Sequence, residues 1–194
     1  MKLTLSHYIL FLLCLVLPFS SGCARERCPG GLDRSVQQLR QNAERGCAEA
    51  QAILAQFYWY GAGIPQDYDK MFFWYSKSAE QGHHRGQHGL GICYRSGHGV
   101  PKDKAEAIKW WHKAAEQGNV ASQFMLGQAY LHGDGVPRDD DEAEKWLRKA
   151  AEQGNTSAPR LLHRLLQRIE RKTEDESTHP EEGETQNGNT AADS

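Results

Sequence analysis

Small and apolar residues recur along the chain at spacings of three and four. Ala50, Leu54 and Tyr58 form one such row, and Met71, Trp74, Ser78 and Ala79 form a second. That spacing places each row on one face of a helix, where a half-buried strand would alternate instead. The rows return every 36 residues: Leu54, Leu90 and Leu126; Tyr58, Tyr94 and Tyr130; Trp74, Trp110 and Trp146. AEQG ends at Gly82, Gly118 and Gly154, and AERG ends at Gly46. Between the two rows of each copy lie the loops GAGIPQD (61–67), GHGVPKD (97–103) and GDGVPRD (133–139). Gly61 and Gly63 are able to take positive φ and turn the chain, and Pro65 stops the first helix from resuming. Asp67 is placed to cap the second helix. Each copy therefore reads as helix A, loop, helix B, and buries its apolar face only against its neighbours.

The ends fit a capped array. Residues 33–46 align with helix B alone, as a half-repeat, followed by copies at 46–81, 82–117 and 118–153. Residues 154–171 align with helix A alone, with Leu162 in the register of Leu54 and Leu166 in that of Tyr58. Eight helices are expected. From Lys172 to Ser194 there is no aromatic and no large aliphatic residue, so this segment is expected to be disordered. At the other end, Tyr8 to Phe19 is an apolar stretch of the length of a signal h-region, too short for a transmembrane helix, and 1–22 is read as an export signal. SSGC, Ser20 to Cys23, resembles the lipobox of bacterial lipoproteins, with Ser20 where that pattern usually has Leu. The resemblance implies acylation of Cys23 and a linker at 24–32; ordinary cleavage after Ala24 is the alternative.

The motifs A-x-x-x-L-[GA]-x-x-Y, G-x-G-[VI]-P-x-D and W-x-x-K-[AS]-A-E-Q-G together resemble Sel-1-like repeats, relatives of the tetratricopeptide repeat. Ala55 stands where these repeats have Gly in helix A, and Met71 where they have Ala in helix B. The resemblance implies an all-α, right-handed α-solenoid of helix-turn-helix repeats that binds another protein along its concave face. If helix A lines that face, the positions that vary between copies are the informative ones. They are Ala52, Gln56 and Trp59; His88, Ile92 and Arg95; and Phe124, Gln128 and Leu131. Trp59 is the foremost, because the other copies carry Arg95 and Leu131 there. The recurring Trp74, Trp110 and Trp146 are assigned to the core.

Charge sharpens this picture. The formal net charge of −2 divides into +1 for the signal, +3 for 23–171 and −6 for 172–194. No general nucleic-acid partner is expected from such a balance. Arg160, Arg164, Arg168 and Arg171 form one basic stripe, either a solvated cap face or a seat for an anionic partner or the acidic tail. Cys28, Cys47 and Cys93 remain after export and allow one disulfide at most. Cys93 falls mid-helix, where a buried, inert thiol is expected. His84 and His88 stand four apart without an evident third ligand, so no metal and no cofactor is expected. No S-x-x-K, G-x-S-x-G or H-E-x-x-H occurs. Some cysteine-rich relatives are described as acting on β-lactams. The serine–lysine pair expected of a penicillin-recognising nucleophile is absent here, so an envelope enzyme acting on β-lactams or peptidoglycan is only the alternative reading. The leading expectation is an exported, lipid-anchored, non-catalytic scaffold of the periplasm or cell envelope. It would have no small-molecule substrate.

Overall fold

The computed structural model describes residues 36–178. The signal, Cys23, the 24–32 linker and residues 179–194 fall outside the described residues. Eight α-helices follow among the described residues: α1 Val36–Glu44, α2 Ala48–Tyr60, α3 Tyr68–Glu80, α4 His84–Ser96, α5 Lys104–Glu116, α6 Val120–His132, α7 Asp140–Glu152 and α8 Ala158–Thr178. Each packs on the next in sequence, and α2 also touches α4. The pairs α2–α3, α4–α5 and α6–α7 are the three copies, with α1 as the half-repeat and α8 as the cap. None of these helices is long and apolar enough to cross a membrane.

The loops close as the sequence leads one to expect. Asp67, Asp103 and Asp139 accept from the backbone N–H groups of Lys70, Glu106 and Glu142, satisfying donors that the first helical turn leaves open. Their own N–H groups donate back to the carbonyls of Tyr58, Tyr94 and Tyr130. The second glycine of each loop does more than turn the chain. Gly135 has φ +83°, and a Cβ there would lie 2.7 Å from the Lys104 carbonyl oxygen. Gly99 sits likewise against Tyr68. The second and third loops are thereby pressed onto the starts of α3 and α5, whereas a Cβ at Gly63 would only touch Val36 at 3.7 Å.

A buried amide relay, unnoticed in the motif, ties each copy together. Gln81, Gln117 and Gln153 of the E-Q-G turns donate to the side-chain oxygens of Gln51, Gln87 and Gln123, at 2.7, 2.7 and 2.9 Å. Gln51 and Gln123 then donate to the carbonyls of Ala43 and Ala115 in the preceding helix B. These glutamines are 3–5% exposed, so the bonds replace water that the amides have lost. Gln51, Gln87 and Gln123 are 36 residues apart, and that spacing was the available signal.

Several placements differ from expectation. Trp146 is buried, but Trp74 and Trp110 are only half-buried. The position one residue on, Tyr75, Trp111 and Leu147, goes fully inward. The inward stripe of α3 runs Met71, Tyr75, Ser78 and Ala79, which leaves Trp74 at its edge. The Lys113 ammonium sits 3.9 Å from the Trp110 ring centroid. In α8 the residues turned inward are Ala158 and Leu165, while Leu162 and Leu166 are half-buried. Helix α8 also runs past Lys172 to Thr178, where the tail was expected to begin. Lys and Glu are good helix formers, and extending an established helix carries no nucleation cost.

Cys93 is fully buried and burial pushes its thiol up to about 12, the inert state expected. Cys47 is disulfide-bonded.

Candidate functional site

A cleft of about 330 Å³ opens between the second and third copies. Its walls are Arg95 at the end of α4, Trp111 of α5, Met125, Gln128, Ala129 and His132 of α6, and Gly133–Asp134 of the following loop. Positions 125, 128, 129 and 132 share one face of α6, as the 3.6-residue turn requires. The Arg95 guanidinium lies 6.0 Å from the Trp111 ring centroid, and its Nε is 4.0 Å from the Asp134 carboxylate. Lys104 bonds the same carboxylate and, as the largest cause, holds Asp134 below the usual carboxylate range. Asp134 is thus engaged chiefly by Lys104, and Arg95 is presented, about half exposed, over an aromatic floor. The cleft combines apolar surface with an amide, an imidazole, a guanidinium and the Lys104-bound Asp134 carboxylate, which suits a peptide segment with both apolar and polar side chains.

Of the residues expected to face a partner, Arg95 and Gln128 meet in this cleft and the others do not. Gln56 is exposed on the first copy. Trp59 is half-buried on the first core cluster and stacks on Tyr60, with ring centroids 5.0 Å apart. Ile92 packs partly on the second cluster and Phe124 partly on the third. Leu131, at 6% exposure, is a core residue, because α8 closes over it together with Leu165. Ala52 is likewise buried. Met125, His132 and Asp134 were missed. All three occupy positions that vary between copies (Ile53 and Gly89; Tyr60 and Ser96; Ala62 and His98), so variability was a usable signal. In the basic stripe, Arg160, Arg164 and Arg171 are exposed, whereas Arg168 is partly buried against Asp140.

The histidine pair is structural in its contacts. His84 Nδ1 meets the Asn119 amide nitrogen at 3.0 Å and His88 Nδ1 meets Ser122 Oγ at 2.8 Å, so both bind the third copy. Burial pushes His88 down to about 4, which keeps it neutral. Ser122 is fully buried, so its hydroxyl is closed to a substrate. Among the described residues no group of three or more His, Cys, Asp or Glu is placed to hold a metal ion.

Residues 48–83, 84–119 and 120–155 each match the Sel1 repeat. The chain belongs to the Sel1 repeat family. Solved relatives share the fold. Protein c5321, described as a protective antigen present in uropathogenic Escherichia coli strains and displaying an SLR fold, is 45% identical over 63% of this chain, with a TM-score of 0.61. A Sel1 repeat protein from Oxalobacter formigenes is 31% identical over 66% of the chain, at 0.62. Helicobacter pylori cysteine-rich protein B is 24% identical over 69%, at 0.56, a likeness of fold alone. The chain spans 26% of the c5321 chain and 51% of the Oxalobacter protein. No curated protein sequence matches it. Such repeats are scaffolds typical of protein-interaction proteins. In this Sel1 array the turn glycines, capping aspartates and Gln relay are common to the copies, and the cleft is lined mainly by what differs between them.

Proposed function

We propose that this Sel1 repeat protein is an exported scaffold, anchored by acylation at Cys23, which holds a segment of a partner protein in the Arg95–Gln128 cleft and performs no catalysis. The observation that carries the reading is the cleft itself. Copy-specific side chains converge there on the Trp111 ring, itself replaced by Tyr75 and Leu147 in the other copies. Membrane tethering would raise the local concentration of scaffold and partner together. The description of c5321 as a protective antigen is in keeping with an envelope setting. A photo-crosslinking residue at Gln128 should trap a defined envelope protein, and one at exposed Lys109 should not. Arg95→Ala should remove most of the first product. Equal trapping at both positions would show that the partner does not sit in the cleft. Palmitate labelling against a Cys23→Ser control tests the anchor. Nitrocefin turnover that a single side-chain change abolishes would replace the scaffold by an enzyme.

A further inference from the structure

Two guanidiniums share one carboxylate where α7 meets α8. Asp140 accepts from Arg138 Nε at 3.1 Å and Nη2 at 3.2 Å, and from Arg168 Nη2 at 2.6 Å. These three residues and Lys172, one turn further along α8, line a depression of about 520 Å³. Asp140 is held below its usual range, first by the Arg138 bond. A single carboxylate offsets one positive charge, so the two guanidiniums that share Asp140 keep a positive excess between them. The Nε of Arg168 is also shielded from solvent, with no hydrogen-bond partner among the described residues, while its side chain as a whole remains 37% exposed. A shielded donor of this kind is costly to leave unmade. A second carboxylate entering the depression would offset the charge excess at the exposed parts of Arg138 and Arg168, whose side chains are 52% and 37% open to solvent.

The segment that follows α8 carries that chemistry. Residues 179–194, HPEEGETQNGNTAADS, hold four acids and no Lys or Arg. Pro180 stands two residues after Thr178 and has no backbone N–H with which to continue a helix. Along the helix axis Lys172 lies about 9 Å and Arg168 about 15 Å before that end. An extended chain covers roughly 3.3 Å per residue, so Glu181 to Glu184 span the return distance. We propose that Glu181, Glu182 and Glu184 fold back along α8 and dock in this depression against Arg138 and Arg168, taking the guanidinium donors that Asp140 leaves over. A short tether gives the tail an effective concentration on the order of millimolar, which favours it over a dilute external anion. The tail then covers this end of the array against other acidic segments.

The full chain tests this with Glu181→Gln/Glu182→Gln/Glu184→Gln, which lies outside the helical array and leaves its packing intact. Arginine side-chain Nε–Hε signals should differ between native and variant chains at Arg138 and Arg168. Raising NaCl to about 0.5 M should move the native signals to the variant positions. A synthetic peptide of residues 179–194, added in trans, should bind the variant about threefold more tightly than the native chain, whose own tail competes. Coincident arginine signals in the two chains would overturn the proposal. Equal peptide affinities would overturn it too, and would mark the depression as open to an external anionic segment.

Discussion

The junction between the first and second copies is aromatic and tight, and the junction between the second and third is polar and leaves a cleft. At the first, Tyr75 is pressed against α4 where residue 89 is Gly, Tyr68 stacks on His98 at 4.2 Å, and Phe72 meets Tyr94 edge-on at 5.9 Å. At the second, the residues equivalent to Gly86 and Gly89 are Ser122 and Met125. Ser122 takes His88, Asn119 takes His84, Asp134 takes Lys104, and Met125 lines the cleft beside Trp111. One repeat framework thus makes two kinds of contact. Small residues close a junction, and larger ones open it and leave polar groups to bridge the gap.

The largest expected effect tests the closed junction. In Gly89→Ala the new Cβ would collide with the Tyr75 ring, which is fully enclosed and has nowhere to go. The cost should be about 3 kcal/mol by urea denaturation. Met125→Ala, beside an open cleft, should cost about 1 kcal/mol, because solvent already reaches the site. Similar losses for the two would show that the junctions are equally packed.

Acid should act on the open junction. His88 is held at about 4 by burial, against 6.5 when unfolded. Between these values the unfolded chain binds the proton and the folded chain does not. Stability should therefore be full above pH 6.5, fall as pH drops, and level off near pH 4. The loss should be on the order of 2 kcal/mol, allowing for solvent that reaches the half-buried ring. His83, His84 and His112 are lowered too, first by burial, and act in the same direction. His88→Gln should flatten part of the slope between pH 6.5 and 4. An unchanged slope would remove His88 as the main group.

How much of this contrast was legible follows from what repeats and what does not. The period, the capping aspartates and the turn glycines are backbone requirements, met identically in each copy, so register alone displays them. Which neighbour of a pair goes inward depends on the angle at which helices cross. Trp74 was therefore taken for the core and Tyr75 overlooked, although both lie near one face. Leu131 looked like a groove position because Trp59 and Arg95 share its register, but the cap helix covers the third copy alone. The cleft arises from a difference, Gly89 against Met125, that becomes visible only when copies are compared position by position.

Salt separates the loop contacts of the two junctions. His98 and Asp134 occupy the same loop position, one stacked on Tyr68 and the other paired with Lys104. Tyr68→Ala should cost about 1 kcal/mol at any ionic strength, since the loss is of aromatic contact. Asp134→Asn should cost less than about 1 kcal/mol in dilute buffer and nothing measurable in about 1 M NaCl. A salt-sensitive Tyr68 variant would break the distinction.

The smallest effect on stability belongs to the residue of greatest functional interest. Arg95 is about half exposed, lies 6.0 Å from the Trp111 ring centroid and stands at the long limit of pairing with Asp134, whose stronger bond is to Lys104. Little folding energy depends on it, so Arg95→Ala should shift the urea midpoint by less than the equivalent of about 0.5 kcal/mol. The same change should remove most crosslinking from Gln128, because the guanidinium is the cleft's one exposed cation with a fixed aromatic support. A variant that loses both stability and capture would make Arg95 a packing residue, and the open junction would then be only a looser version of the closed one. Lost capture with the fold intact would show that the gap left by Met125 and Ser122 is used.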